Sequence, residues 1–255
     1  MKTSLSYLAE ADSVTILLEA TGGKPPTLDG DVLSDLEACV ARAKAERPRI
    51  VFLRSASKRF FCVGANIDVL KETDERTIVP WVREGHRVMN ALEDLPMPVV
   101  AVVEGYAMGG GLELAMACDL IFASETAQLA QSEAALGFIP GWGGTRRLVA
   151  RIGASKAKYW FYSGKLMDAT TALEIGLVDC LAKPNELDRQ VDEFMAMVVS
   201  NNRNAISQFK IILNDQERRA REENGEAESS RSVSCLQDDD TKQRLNAFLA
   251  KRKSK

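Results

Sequence analysis

The sequence contains a single histidine, His86, among its 255 residues. A catalytic triad with a histidine base would need this residue, and a metal site with several histidine ligands is excluded. His86 lies in a mixed-charge, helix-like stretch between Val82 and Leu92, where a structural or surface role is the ordinary interpretation. Acid–base chemistry in this chain is therefore expected to use carboxyl groups.

Cysteines and long apolar runs are also scarce. The five cysteines are widely separated and odd in number, which favours reduced thiols in a cytoplasmic protein over a disulfide framework. No stretch approaches the roughly 18 apolar residues of a membrane span, and the N-terminus lacks the pattern of a signal peptide. We therefore expect no membrane partner.

The charge is nearly balanced, with 33 lysines and arginines against 36 acidic residues and a formal net charge of −3. Without a basic excess, we expect no nucleic-acid partner. The motifs GxGxxG, GxxxxGK[ST], GxSxG and HExxH are absent as well. Their absence argues against dinucleotide-binding proteins, nucleoside triphosphatases, esterases and zinc proteases.

Short apolar runs alternate with helical patterns in the first part of the chain. The strand-like runs VTILLE (14–19) and IVFLRS (50–55) flank residues 31–46, whose apolar positions recur at helical spacing. This is a strand–helix–strand unit typical of α/β folds. Toward the C-terminus only helical patterns remain. We therefore predict an α/β core over residues 1–198 and a C-terminal helical region over residues 199–255.

Three consecutive glycines, Gly109 to Gly111, precede the helix-forming run LELAMAC. Glycine destabilises helices, so such a run indicates a turn, close packing or a backbone that contacts a ligand. The first N–H groups of a helix have no partner within it and lie at the positive end of its dipole. The segment is therefore either a packing element or a site for developing negative charge.

A second glycine-containing loop follows the strand-like run IVFLRS. In FFCVGANI (60–67), Gly64 and Ala65 lie where the chain should leave the strand. Backbone N–H groups from two such loops can bind one oxygen atom, an arrangement called an oxyanion hole. We expect this arrangement if the two loops converge in the fold.

Three segments together resemble the enoyl-CoA hydratase/isomerase family, also called crotonases. They are VVAVVEGYAMGGGLELAMACDLIFA, FCVGANI and AQLAQSEAALGFIPGWGGTRRL, and the resemblance extends to AFLAKRK near the C-terminus. It implies an α/β fold, a crotonase-like spiral of ββα turns with a C-terminal helical trimerisation region, assembled as a homotrimer or as a hexamer of two trimers. It also implies an acyl-CoA thioester substrate. Coenzyme A is then part of the substrate, and neither a separate cofactor nor a metal is expected.

The resemblance also implies catalytic groups. The amides of Ala65 and Gly110 would bind the thioester carbonyl as an enolate forms, and Glu113 and Glu133 match the two glutamates that hydratases use. Two carboxyl groups of opposite protonation can take a proton from water and give one to the α-carbon. The helix dipole favours Glu113 as the carboxylate base, which leaves Glu133 as the proton donor. Without the motifs, Glu113 would be a helix cap and Glu133 a solvated loop acid.

By the same resemblance, the adenine and pantetheine of CoA lie along Ala65, Asn66 and Ile67. Two residues depart from the family pattern here. Asn66 replaces an aspartate, and Ser132 replaces a proline before the second glutamate, which leaves that loop less rigid. Neither change removes a catalytic group.

The C-terminal segment is basic. The resemblance places Lys251 near the 3′-phosphate of CoA bound by a neighbouring subunit, within a cationic tail that ends at Lys255. A solvated terminus is the alternative interpretation. Phe248, on the same segment, either helps to cover the acyl pocket or anchors the last helix.

Trp142 is the departure with the largest expected effect. It stands in IPGWGGTRRL at a position where the family usually has a small residue. An indole there could shorten the acyl pocket or stack on a planar or cyclic acyl group. The alternative is that the ring packs against another subunit. If the ring reaches the pocket, we expect a short or cyclic acyl chain.

The resulting prediction is a hydro-lyase that adds water to the 2,3 double bond of an enoyl-CoA and gives a 3-hydroxyacyl-CoA. A cyclic dienoyl-CoA hydratase and an enoyl-CoA isomerase are the alternatives, and the isomerase would use the same enolate. A non-enzymatic relative that binds RNA is disfavoured by the overall acidity and by the presence of both glutamates.

Overall fold

The computed structural model describes residues 2–253, so Lys255 of the basic tail lies outside the described residues. The strands within that range are β1 (Thr3–Ala9), β2 (Ser13–Ala20), β3 (Ile50–Ser55), β4 (Phe60–Cys62), β5 (Val99–Val103), β6 (Tyr106–Met108), β7 (Leu120–Ser124), β8 (Gln128–Ala130), β9 (Met167–Asp168) and β10 (Cys180–Ala182). The α-helices are α1 (Gly30–Glu46), α2 (Ile67–Glu72), α3 (Ile78–Glu93), α4 (Gly110–Met116), α5 (Gly144–Ile152), α6 (Ala154–Ser163), α7 (Ala169–Glu174), α8 (Leu187–Ser200), α9 (Arg203–Gln237) and α10 (Asp239–Lys253).

The larger sheet has six strands in the order β1-β2-β3-β5-β7-β10. β1 pairs with β2 in antiparallel fashion, and the remaining pairs are parallel. The predicted strand–helix–strand unit is confirmed, because α1 connects the parallel strands β2 and β3. Parallel sheets are normally covered on both faces. The burial pattern follows this rule.

Side chains of the larger sheet alternate between two apolar layers. In β3, Val51 and Leu53 pack in the main core with residues of α1 and α3, whereas Ile50 and Phe52 pack against α8. Successive strand side chains point to opposite faces, so an all-apolar strand such as β5 serves both layers. The apolar runs of the sequence are therefore explained by burial on two sides.

A second sheet contains β4, β6, β8 and β9 in that order. β4, β6 and β8 are parallel to one another, and β9 joins β8 in antiparallel fashion. Each of these three parallel strands directly follows a strand of the larger sheet, and a helix then leads to the next pair. This repetition of strand, strand and helix confirms the predicted spiral of ββα turns.

The second sheet fixes the position of three loops. The carboxyl ends of parallel strands lie at the same edge of a sheet, which is where α/β proteins usually bind ligands. Ala65 follows β4, Gly110 follows β6, and Glu133 follows β8, each within three residues of the strand end. Three distant segments of the sequence therefore meet at one edge.

The C-terminal helices pack on this core. α9 lies against α3, and α10 buries Leu245 and Leu249 against Leu70 of α2 and Phe138 of the segment after β8. The predicted boundary after residue 198 lies within the last turn of α8. Among residues 2–253, no helix combines the length and the apolar character needed to cross a membrane.

The glycine triplet allows α4 to approach β4 closely. A Cβ atom on Gly111 would lie 2.0 Å from the carbonyl oxygen of Cys62, and one on Gly110 would lie 2.6 Å from the ring of Trp142. Such distances are far below contact distance, so these positions accept only glycine unless the backbone moves. The triplet is therefore a packing element, and it also brings a helix N-terminus to the sheet edge. Its role as a site for developing negative charge stays a prediction.

We therefore expect Gly111→Ala to lower the free energy of unfolding by about 1–3 kcal/mol or more, because the added methyl group overpacks the α4–β4 contact. Gly30→Ala is the matched control, since Gly30 also opens a helix and a Cβ there meets no atom within 4 Å. Urea unfolding curves measure both variants. Equal stability of Gly111→Ala and Gly30→Ala would contradict the packing argument.

Candidate active site

A narrow cavity of about 90 Å³ lies at the edge where β4, β6 and β8 end. Apolar side chains of α2 and α3 form one wall, and the loops after the short strands form the other. The predicted site residues that line the cavity are Ala65, Ile67, Gly110, Glu113, Glu133 and Trp142.

The two glycine-containing loops do converge. A Cβ atom on Gly64 would lie 2.8 Å from the amide nitrogen of Gly110, and one on Gly110 would lie 3.4 Å from the amide nitrogen of Ala65. Gly64 has φ +90°, a conformation that other residues rarely adopt. Leu28 holds this loop in place, because its N–H donates to Gly64 and its carbonyl accepts from Asn66, both at 2.8 Å.

The N–H groups of Ala65 and Gly110 remain available for a ligand. Within residues 2–253, neither amide donates a backbone hydrogen bond to another residue. Gly110 is the first residue of α4, where helix N–H groups have no intrahelical acceptor. Two adjacent unused donors, one in a loop and one at a helix N-terminus, can stabilise an oxyanion.

Glu113 lies in the first turn of α4 and is only 2% exposed. Its Oε1 atom accepts hydrogen bonds from the N–H groups of Trp142 at 2.8 Å and Gly144 at 2.7 Å. Burial raises the pKa of Glu113 well above its ordinary value, and the charges of Glu133 and Glu228 raise it further, while the two N–H donors oppose this shift. The sequence predicted that the helix dipole keeps Glu113 ionised. In the structure, burial and the neighbouring charges also act on this carboxyl group.

Glu133 begins a short 3-10 turn directly after β8. The side-chain amide of Gln131 donates to its Oε1 atom at 2.8 Å, while its Oε2 atom is buried and has no hydrogen-bond partner among the described residues. Burial raises the pKa of Glu133 to about 7. At neutral pH this carboxyl is therefore protonated in a large fraction of molecules, as a proton donor requires.

The ring of Trp142 forms part of the cavity wall. It is 3% exposed and lies between Gly85 of α3 and Gly110 of α4, where Cβ atoms would come within 2.0 Å and 2.6 Å of the indole. Trp81 packs edge-on against it with ring centroids 5.1 Å apart. Because the ring is covered by its own chain, the alternative of packing against another subunit does not hold.

Other predicted residues lie apart from the cavity. Asn66 caps α2, since its Oδ1 atom accepts from the N–H of Asp68 at 3.1 Å. On α10, Phe248 is 42% exposed and does not line the cavity, and Lys251 is exposed. Leu249 and its buried neighbour Leu245, rather than Phe248, anchor this helix. Contacts of Asn66 and Lys251 with CoA stay predictions.

Two residues of α9 were missed by the sequence analysis. Ser232 is 3% exposed and lines the cavity. Glu228 is 2% exposed, and its negative charge contributes to the raised pKa of Glu113. His86 is buried and contacts Glu228, so its interpretation as a structural residue agrees with its position. The pattern of α9 contains many charged residues and gives no signal that these polar side chains face inward.

Comparison with known proteins bears on the predicted family and fold. The family model described as enoyl-CoA hydratase/isomerase matches residues 24–255. The chain is 33% identical to the short-chain-enoyl-CoA hydratase of Clostridium acetobutylicum over 89% of this chain and 87% of that protein. It is 40% identical to YngF of Bacillus subtilis (strain 168) over 65% of this chain and 64% of YngF. The crystal structure of an enoyl-CoA hydratase from Bacillus halodurans superposes with a TM-score of 0.87, at 23% identity, over 95% of this chain and 99% of that one.

The chain therefore belongs to the enoyl-CoA hydratase/isomerase family. The match confirms the predicted family, and the superposition confirms the predicted crotonase-like fold. The names of the relatives also agree with the predicted enzyme class, enoyl-CoA hydratase.

The raised pKa of Glu133 predicts a pH-dependent effect of Glu133→Gln on stability. A carboxyl whose pKa is raised on folding stabilises the folded state below its unfolded-state pKa, and this contribution is lost as the pH rises toward about 7. We expect Glu133→Gln to become more stable relative to the wild type as the pH rises from about 5 to about 8. Urea unfolding across this range measures the difference. Glu125→Gln, at an exposed position after β7, should show no such trend.

Proposed function

We propose that this protein is a short-chain enoyl-CoA hydratase that adds water reversibly across the 2,3 double bond of its substrate. The observation that carries the proposal is the meeting of two unused backbone donors and two buried carboxyl groups in one cavity. Free backbone donors or buried carboxyl groups alone are common in proteins. Together they can stabilise the negative charge and transfer the two protons of a hydration reaction.

In this proposal, the N–H groups of Ala65 and Gly110 bind the thioester carbonyl oxygen. Negative charge grows on that oxygen when water attacks the β-carbon and the electrons of the double bond move toward the carbonyl group. Donors already fixed for this charge lower the barrier, and removing one such donor typically costs about 2.7–4 kcal/mol. The approach of the Gly64 loop to Gly110 supports this assignment.

The carboxyl groups account for the two protons. Repulsion between like charges opposes the ionisation of both buried carboxyl groups, so in this proposal the pair holds one proton near neutral pH. Burial raises the pKa of Glu113, but its Oε1 atom accepts two backbone N–H groups that stabilise the ionised form. In this proposal Glu113 therefore carries the negative charge of the pair and takes a proton from the attacking water. Glu133 gives its proton to the α-carbon, which completes the 3-hydroxyacyl-CoA.

The cavity favours a short acyl chain. Trp142 and Trp81 close one side of a space of only about 90 Å³, and apart from Glu113, Glu133 and two serines the lining side chains are apolar. Relatives named short-chain-enoyl-CoA hydratase and crotonyl-CoA hydratase, the second from Syntrophomonas wolfei at 29% identity over 89% of this chain, agree with this size. A flat cyclic acyl group is the alternative that stacking on an indole would favour.

We further propose that the protein assembles as a homotrimer or a hexamer. Phe209, Ile212 and Leu213, which lie within five residues of each other on α9, are exposed apolar side chains, as is Met197 of α8. Clustered exposed apolar side chains are typical of a protein interface. In that assembly Lys251 would contact the CoA of a neighbouring subunit, and Phe248 could reach that subunit's acyl pocket.

The test is the loss of conjugated-thioester absorbance when purified protein is added to crotonyl-CoA, with product mass measured in parallel. We expect a product heavier by one water, and Glu113→Gln and Glu133→Gln should each lower kcat by roughly 10²–10⁴-fold because a proton-transfer group is lost. Glu125→Gln is the control at an exposed carboxyl.

Full activity of either cavity variant would contradict the two-carboxylate mechanism. A product of unchanged mass with a moved double bond would favour the isomerase, and no conversion of crotonyl-CoA by the wild type would contradict a short-chain hydratase.

Trp142→Phe should widen the range of acyl chains. A smaller ring leaves space at the closed side of the cavity. We therefore expect the ratio of kcat/KM for octenoyl-CoA over crotonyl-CoA to rise by roughly tenfold, the lower end of the effect of one methylene group in a hydrophobic pocket. Trp160→Phe is the control, because Trp160 packs on the core without lining the cavity. An unchanged ratio would show that Trp142 does not limit chain length.

A further inference from the structure

Two buried carboxylates hold the segment that begins α5, residues 142–145. Its four successive N–H groups donate to them alternately. Trp142 and Gly144 donate to Glu113 at 2.8 Å and 2.7 Å. Gly143 and Thr145 donate to Glu228 at 2.8 Å and 3.1 Å. The free N–H groups and the positive dipole end of a helix start favour negative charge, so this segment stabilises both buried carboxylates.

Glu228 has further partners that keep it charged. The Nε2 atom of His86, on α3, lies 2.9 Å from its Oε2 atom, and the hydroxyl of Thr145 contacts its Oε1 atom. Although burial raises the pKa of Glu228, the bond and charge of His86 and the donors of residues 143–145 bring it below its ordinary value. The amide of Asn224 donates to the hydroxyl of Thr145 at 2.7 Å, which fixes that donor as well.

The carbonyl side of the same segment is also held. Arg147 donates from Nη1 to the carbonyl oxygen of Trp142 at 2.7 Å, and its guanidinium pairs with Glu93 of α3 at 2.8 Å. A Cβ atom on Gly143 would lie 2.2 Å from this guanidinium. Residues 142–145 are therefore fixed from α3, α4 and α9 together.

The direction of the Glu113 carboxyl depends on this segment. Among the described residues, its side chain accepts hydrogen bonds only from Trp142 and Gly144. The same segment carries the Trp142 ring, which lies against Gly110. A movement of residues 142–145 would therefore displace the carboxylate, the cavity wall and one of the two proposed oxyanion donors.

We propose that Glu228 is a positioning residue for Glu113, and that the His86–Glu228 pair ties the C-terminal helix α9 to the chemistry of the cavity. This inference rests on the proposed function for its kinetic consequence. Glu228 itself does not line the cavity. It acts through residues 142–145, whose N–H groups donate alternately to Glu113 and to Glu228, and through its charge.

The first experiment compares Glu228→Gln with Glu226→Gln, which makes the same charge change at an exposed position of the same helix. We expect Glu228→Gln to lower kcat for crotonyl-CoA by roughly 10- to 100-fold with little change in KM, because small displacements of a catalytic group have effects of this size. Glu226→Gln should leave both constants unchanged.

The second measurement needs no turnover. Carbon-13 NMR titration of the glutamate side chains in ligand-free protein should show a lower pKa of Glu133 in Glu228→Gln, because a neighbouring negative charge has been removed. The alkaline limb of the kcat profile should move to lower pH in parallel. The charged groups that face this region from the surrounding elements are His86, Glu113, Glu133 and Arg147.

The outcomes are distinct. Unchanged kcat and an unchanged Glu133 pKa in folded Glu228→Gln would overturn the inference, as would a fall in activity without a movement of the pH limb. A lowered Glu133 pKa in a protein whose wild type does not hydrate crotonyl-CoA would support the coupling and contradict the proposed function.

If Glu228→Gln does not fold, His86→Gln serves instead. It keeps the carboxylate and the three donors from residues 143–145, so we expect a smaller loss of kcat in the same direction. Wild-type kcat and pH dependence in His86→Gln would then overturn the proposed role of the pair.

Discussion

The parallel pairing of β4, β6 and β8 is the constraint on which the site depends. Each strand is only three residues long, yet parallel register brings their carboxyl ends to one edge, and the loops that follow supply different groups. One supplies the amide of Ala65, the next the amide of Gly110 with Glu113, and the third Glu133. The larger sheet and its helices fix this register, because every short strand directly follows a strand of that sheet.

Burial of two carboxyl groups is the main energetic difficulty of such a site. Ionised carboxylates lose hydration when they enter an apolar cavity, and like charges add repulsion. Backbone N–H groups at the start of α5 offset this cost for Glu113, and Gln131 does so in part for Glu133. No group among residues 2–253 forms a hydrogen bond with the Oε2 atom of Glu133, so compensation is incomplete there.

The sequence predicted the longer strands and helices from their apolar patterns and the two glycine-containing loops of the site from their motifs. Both kinds of signal depend only on residues that are near one another in the chain. It did not predict β4, β6 or β8, since three residues are too few to show a period of two. Their pairing depends on tertiary contacts. Glu228 was missed for a similar reason: its partners lie on α3 and α5, and a glutamate in a charged helix resembles many solvated ones. The indole of Trp142 was recognised, but only the fold places it against Gly85.

The late position of α9 in the chain has a consequence for biosynthesis. A ribosome releases β4, β6, β8 and α4 well before α9, and domains begin to fold while synthesis continues. Until Glu228 docks, half of the N–H groups at the start of α5 lack their acceptor. The hydrogen bonds that hold residues 142–145 are therefore complete only after α9 has been synthesised, although every strand of both sheets precedes α9 in the chain.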